Sequence, residues 1–151
     1  MNDCGYRLLQ LTNNNIGAVA AATVLPIGVT SRKITCQSKC IPTFEITTTA
    51  NNVAYINEPG FYKITYTGYL TAGAAGNVVV NLEINNAIAA VATVTATAAG
   101  TVPISITFVT RVLGNCCNGA VINTPSALQF RNAGVAITGG TSTVLIERVS
   151  A

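Results

Sequence analysis

The sequence predicts an all-β protein of the sandwich or barrel type, and three observations carry that expectation. Half of the residues are hydrophobic, and they are mainly Ala, Val and Ile mixed with many Thr, a composition that suits pleated strands. Gly and Asn clusters break the chain at regular intervals, as turns between short strands do. Apolar residues nowhere recur with a helical period over about eleven residues. At 151 residues the chain is long enough for one domain with a proper core.

The first forty residues read as an arm, and residues 41–151 as a head domain. The arm is rich in Asn, Ala and Cys. Its apolar run Ile16–Val29 contains Pro26 and spans 14 residues. That is short of the roughly 20 a membrane-spanning helix needs. Asn13, Asn14 and Asn15 precede the run where a secretory leader carries basic residues, and "GVTSRK" is a poor cleavage site. The run therefore reads as part of an arm that contains a strand.

Strands are expected next at Phe44–Thr49, Val53–Ile56, Phe61–Leu70, Asn77–Ile84 and Ala89–Thr97. Further strands are expected at Val102–Leu113, Ala127–Arg131, Val135–Thr138 and Thr143–Val149. The connections are "NEPG", "TAGAAGN", "NNA", "TAAGT", "GNCCNGAVINTP", "NAG" and "TGGTS", the "TAGAAG" and "TGG" stretches reading as hairpin turns. Val78, Val80, Leu82 and Ile84 share one face of their strand, and Val102, Ile104, Ile106, Phe108 and Val112 one face of theirs. Pro103 must stand at a strand start, an edge or a bulge, because it has no N–H to donate. On the strand "FYKITYTGYL", Tyr62, Ile64, Tyr66 and Leu70 share one face, while Phe61, Lys63, Thr65, Thr67 and Tyr69 share the other. Aromatic residues on both faces imply that one packs the core and the other meets a neighbouring subunit.

Charge narrows the function classes. Only 9% of the residues are charged, and the net charge is +3. Typical soluble domains carry roughly 25% charged residues, so part of this surface is expected to be covered by partners. From residue 41 onward Glu45, Glu58, Glu83 and Glu147 balance Lys63, Arg111, Arg131 and Arg148. The excess lies in the arm, where Arg7, Arg32, Lys33 and Lys39 face only Asp3, which suits docking onto an acidic surface. No basic cluster with interleaved aromatics supports nucleic-acid binding. With no His and with acids scattered one per strand or turn, acid–base catalysis finds no constellation. Glu58 and Glu147 read as structural, no phosphate loop is present, and neither a cofactor nor calcium is expected.

Cys4, Cys36, Cys40, Cys116 and Cys117 form the one sharp group. Disulfides between the arm and the 114–125 loop, a zinc site from Cys36, Cys40, Cys116 and Cys117, and free thiols are all open. Vicinal cysteines chelate one ion poorly, and disulfides need an oxidising milieu. Because the number is odd, at least one thiol is unpaired or intermolecular.

The segments "INEPGFYKITYTGYL", "NVVVNLEINNAIAA", "TVPISITFVTRV", "TPSALQFRNAGVAITGG" and "TSTVLIERVS" carry a resemblance. Over roughly residues 43–151 the chain resembles the C-terminal domain of collagen-like exosporium glycoproteins, within the wider tumour-necrosis-factor-like jelly rolls. No Gly-X-Y stalk precedes the domain. In having an arm plus a head, the chain looks more like the trimeric jelly rolls that serve as phage capsid decoration and head-fibre proteins. The resemblance implies a jelly-roll homotrimer with aromatic side chains near the threefold axis, for which Tyr62, Tyr66, Tyr69 and Phe108 are the candidates. It implies a non-enzymatic structural protein on a bacteriophage virion, held to a major capsid or other virion protein by the arm through Arg7, Arg32, Lys33 and Lys39. The alternatives are a spore or cell-surface protein, and a receptor- or glycan-binding module using loops 71–77 and 114–125.

Overall fold

The computed structural model describes residues 6–35, 43–46, 52–113 and 126–150. Its strands are β1 (Leu8–Asn13), β2 (Val29–Ile34), β3 (Phe44–Ile46), β4 (Ala54–Ile56) and β5 (Gly60–Ala72), then β6 (Gly76–Ile84), β7 (Ala87–Ala96), β8 (Gly100–Val112), β9 (Ser126–Asn132) and β10 (Ile137–Ser150). They form two five-stranded sheets, ordered β2-β1-β10-β5-β8 and β3-β4-β9-β6-β7. Every pairing is antiparallel. This is the sandwich that the strand pattern predicts, and the jelly roll that the resemblance implies.

Alternation builds the core. Along β5, Tyr62, Ile64, Tyr66 and Leu70 are buried, while Phe61, Lys63, Thr67 and Tyr69 are exposed. Val78, Val80 and Leu82 of β6 and Leu128 and Phe130 of β9 complete the interior from the other sheet. Aromatic rings tie the sheets together. Tyr66 lies 4.6 Å from Phe130, and Phe44 meets Tyr62 edge-on at 6.1 Å. Asn85 and Asn86, both at positive φ, make the two-residue turn between Ile84 and Ala87. Pro103 lies on β8, an edge strand, where a residue without an N–H belongs.

Two expectations need correction. Over its described part, 6–35, the arm is not separate from the head. β1 is an interior strand of the first sheet, hydrogen-bonded between β2 and β10, and Leu9, Leu11, Leu25 and Ile27 belong to the core. The apolar run is not itself a strand. It makes isolated bridges from Val19 to Ile137 and from Val24 to Arg131, and so runs beside β9 and the start of β10. Buried Asn132 anchors it by donating to the carbonyls of Val19 and Ala20, and also to that of Val135.

The second correction concerns "TGGTS". It is not a hairpin turn, because β10 runs through it with a register shift between Ile137 and Gly139. Gly140 takes φ 136, and any Cβ there would strike the Tyr69 carbonyl. The glycines let one long strand bend past β5 rather than end it.

Candidate functional site

The sandwich has two poles of different chemistry. At one pole the segments 18–23, 73–75, 97–99 and 133–136 lie together, joined by bonds such as Val19 N to Ile137 O and Gly73 N to Ala136 O. They contain only Ala, Gly, Val and Thr. At the other pole, an ion cluster forms around the turn that enters β5. Glu58 accepts from Arg7 Nε and Nη2 at 2.7 Å each, from Thr43 at 2.8 Å and from Arg148 Nη1 at 3.3 Å. Arg148 also donates to Pro59 O, and the Tyr62 hydroxyl donates to Glu58 O at 2.9 Å. One carboxylate thus joins the entry to β1, the entry to β3, the start of β5 and the end of β10.

Electrostatics follow from that arrangement. Burial raises the Glu58 pKa, but hydrogen bonds from Arg7 and Thr43 and the charges of Arg7 and Arg148 outweigh it, so the carboxyl sits below its ordinary 4.5. Burial, helped by the Glu58 charge, lifts the Tyr62 phenol to about 12. Burial lifts Tyr66 to about 12 as well. Ser142 is the side chain whose hydroxyl acts on that of Tyr66, yet neither oxygen has a partner at hydrogen-bonding geometry. A second pair, Arg131 to Glu83 at 2.9 Å, stitches β9 to β6, and Arg131 also holds the Ala22 carbonyl.

The sheet edges differ as much as the poles. On one side the edges are β2, with Arg32, Lys33 and a register shift, and the three-residue β3. These are features of a protected edge. On the other side stand β7, which has no charged residue, and β8, which has only Arg111. Ile88 and Val91 of β7 are exposed by 62% and 56%. An open cleft of about 580 Å³ lies between Val91–Val94 of β7 and Pro103–Ser105 of β8, reaching Thr67–Tyr69 of β5. The outer face of the first sheet adjoins it, with Thr143, Thr67 and Ser105 in one row and Leu145, Thr65 and Thr107 in the next.

The expected interface residues separate on this frame. Tyr62 and Tyr66 have no exposed area and fill the protomer's own core, so they offer nothing to a neighbour. Tyr69 is 57% exposed on the outer face, and Phe108 is half-buried against the core. Among the arm cations, Arg7 is 4% exposed and spent on Glu58, which corrects its assignment to attachment. Arg32 and Lys33 are exposed, with Lys33 Nζ donating to Phe44 O. Lys39, Cys4, Cys36, Cys40, Cys116 and Cys117 lie outside the described residues, as does the 114–125 loop. Among the described residues no group of three or more His, Cys, Asp or Glu is arranged to hold a metal. The anchor Asn132 was missed, and its signal in "RNAG" is indistinguishable from an ordinary turn.

No protein-family model matches the chain, and no curated protein matches it. Solved structures do match in shape. The globular domain of a zebrafish complement 1qA protein superposes with a TM-score of 0.66 at 6% identity, covering 95% of this chain and 97% of that one. Eiger TNF from S. frugiperda gives 0.64 at 8% identity, covering 97% and 94%. PRD1 vertex protein P5 gives 0.58 at 15% identity, covering 95% and 97%. Sheet order, core and these likenesses agree that the chain has the tumour-necrosis-factor-like jelly-roll fold.

Proposed function

We propose that the protein is a non-enzymatic structural component of a bacteriophage virion surface, a self-associating jelly-roll head in the manner of a decoration or head-fibre protein. The observation that carries the reading is the bare β7–β8 side. Long edge strands with a single charge between them, Arg111, and with exposed Ile88 and Val91 are what a stable monomer avoids. Copies of the chain cover that side in a homotrimer, each seating its β7–β8 side on the outer face of the next first sheet, around Tyr69, with Phe108 behind it. A head-to-tail contact of this kind closes into a ring of three when successive copies turn by a third of a revolution. The likeness to a vertex protein supports the virion setting. Attachment to a major capsid or other virion protein falls to the surface of the head, since residues 6–35 are built into the sandwich.

The resemblance of "INEPGFYKITYTGYL" and the segments after it to exosporium glycoproteins favours a second reading, a spore-surface protein of the same build. Peptide mass spectrometry on purified virions, spores and envelopes tests both. Stoichiometric recovery in virions supports the first reading, and recovery only with spores or envelopes replaces it with the second. Native mass of the purified chain tests self-association separately. A monomer at micromolar concentration refutes the trimer.

A further inference from the structure

We infer that the charged pole carries a docking cleft for an acidic segment of a partner protein, anchored by one apolar side chain. The cleft is built by Phe61, Arg111 and Leu113. It is open, has about 150 Å³ of space, and is completed by Pro59, Gly60 and Val112. That is room for one side chain. The site rests on the reading of the protein as a component that attaches to a particle, and it assigns the surface that attaches.

Three observations carry it. Apolar area is exposed here in a cluster: Phe61 at 41%, Leu113 at 58% and Val109 at 54%. The register sets Phe61 across from Arg111 and Lys63 across from Val109, with Glu147 of β10 across from Lys63 on its other side, so Arg111 is the cation that no acid faces in the ladder. The Arg111 guanidinium lies over the Phe61 ring at 6.0 Å, and neither Arg111 nor Lys63 takes part in the ion pairs seen among the described residues. An aromatic and an arginine beside an apolar cleft are the residue types that dominate interface energies. Their charge calls for carboxylates around the anchor.

A second copy of the chain does not fit the patch. The region assigned to self-association, β7 and the cleft lined by Thr67–Tyr69, Val91–Val94 and Pro103–Ser105, supplies no acid. Self-pairing of the patch would set Arg111 against its own like charge.

The probe is a short fluorescein-labelled synthetic peptide with one central leucine among glutamates, titrated into the full chain and read by anisotropy. A peptide with lysines in place of the glutamates is the control. The acidic peptide binds, its binding weakens with added salt, and Arg111→Glu weakens it by about tenfold or more. Leu113→Ser, which keeps every charge, weakens it too. Both variants keep the native mass and melting temperature of the parent. Equal binding of the lysine peptide, or unchanged binding by Arg111→Glu, overturns the proposal. A change in native mass in Arg111→Glu would place the patch between copies of the chain and overturn it as well. Tighter binding to anionic phospholipid vesicles than to the peptide would overturn it in favour of a membrane surface.

Discussion

Replacing Glu58 by Gln tests whether the ion cluster locks the ends of the chain onto the sandwich. The substitution keeps the shape and one acceptor oxygen but removes the negative charge that Arg7 and Arg148 share. The Arg7 side chain is 5% exposed and that of Arg148 13%, so neither charge regains much water. Removing one partner of a buried ion pair costs about 3–5 kcal/mol. Glu58 is itself 23% exposed and Gln retains an acceptor, which places the loss at the lower end, about 3 kcal/mol. For a chain of this size, each kcal/mol moves the melting temperature by about 2–4 °C, so the variant should melt about 6–12 °C below the parent.

The pH dependence supplies the sign. Glu58 titrates below its ordinary 4.5 in the folded protein, so its contribution is fully present above that value. The contribution disappears as pH falls through the lower folded value. Thermal melts of parent and variant should therefore differ at neutral pH and converge in acid. Subtracting the two curves removes the titration of the other carboxylates. Equal melting temperatures at neutral pH would show that the cluster contributes nothing to stability, and a gap that persists unchanged well below pH 4.5 would show that the loss does not come from the Glu58 charge. The Arg7→Gln/Glu58→Gln double variant closes the cycle, and its loss should be smaller than the sum of the singles.

Asn132→Ala removes the donor that serves the Val19, Ala20 and Val135 carbonyls at a site 1% exposed, and should cost about 1–3 kcal/mol in chemical denaturation. Exchange at the Ala22 and Leu25 amides, which bond to Asn132 O and Phe130 O, should rise with it, and an unchanged exchange pattern would refute the anchor. At Gly68 an added Cβ would lie 2.9 Å from Tyr66 Cε1, so Gly68→Ala should cost about 1–3 kcal/mol. Adding Tyr66→Leu should make the loss less than additive, and strict additivity would sink the contact. In alkali, Tyr62 and Tyr66 should ionise only near pH 12. Because their folded values lie above the ordinary 10, stability should fall as pH rises past 10, and tyrosinate absorbance that appears in full before unfolding would contradict their burial.

The strands of the head were legible because β5, β6 and β8 alternate over long runs, and alternation survives without knowledge of partners. Residues 6–35 were not legible as part of the sandwich because their partners are remote. β1 pairs with β10, with Leu8 across from Glu147. No local signal marks Leu8–Asn13 as interior rather than arm. Pro26 and a run of alanines read as part of an arm, although Leu25 and Ile27 on either side of that proline are buried in the core. The "TGGTS" error has the same origin, since paired glycines look alike in a turn and in a strand that must pass close to another backbone.

The tyrosines show a deeper limit. Alternation tells which residues share a face, but not whether that face meets the protomer's own second sheet or a neighbour. For Tyr62 the deciding group is its hydroxyl. A phenol in a core needs an acceptor, and the Glu58 carbonyl supplies one, so Tyr62 sits inside at little polar cost. Tyr66 has no such acceptor and is buried all the same, its ring packed at a tilt of 36° against Phe130. Burial of so large a side chain is worth about 2–3 kcal/mol, enough to outweigh one poorly satisfied hydroxyl. The inward register of β5 is therefore fixed by packing within one copy. Its outward register, Phe61, Lys63, Thr65, Thr67 and Tyr69, is the one left for partners. It is apolar and cationic at the charged pole, and hydroxyl-rich and uncharged towards the other. A single strand thus offers two different chemistries along its length, which is why copies of the chain and an acidic partner can be assigned to different parts of it without competing.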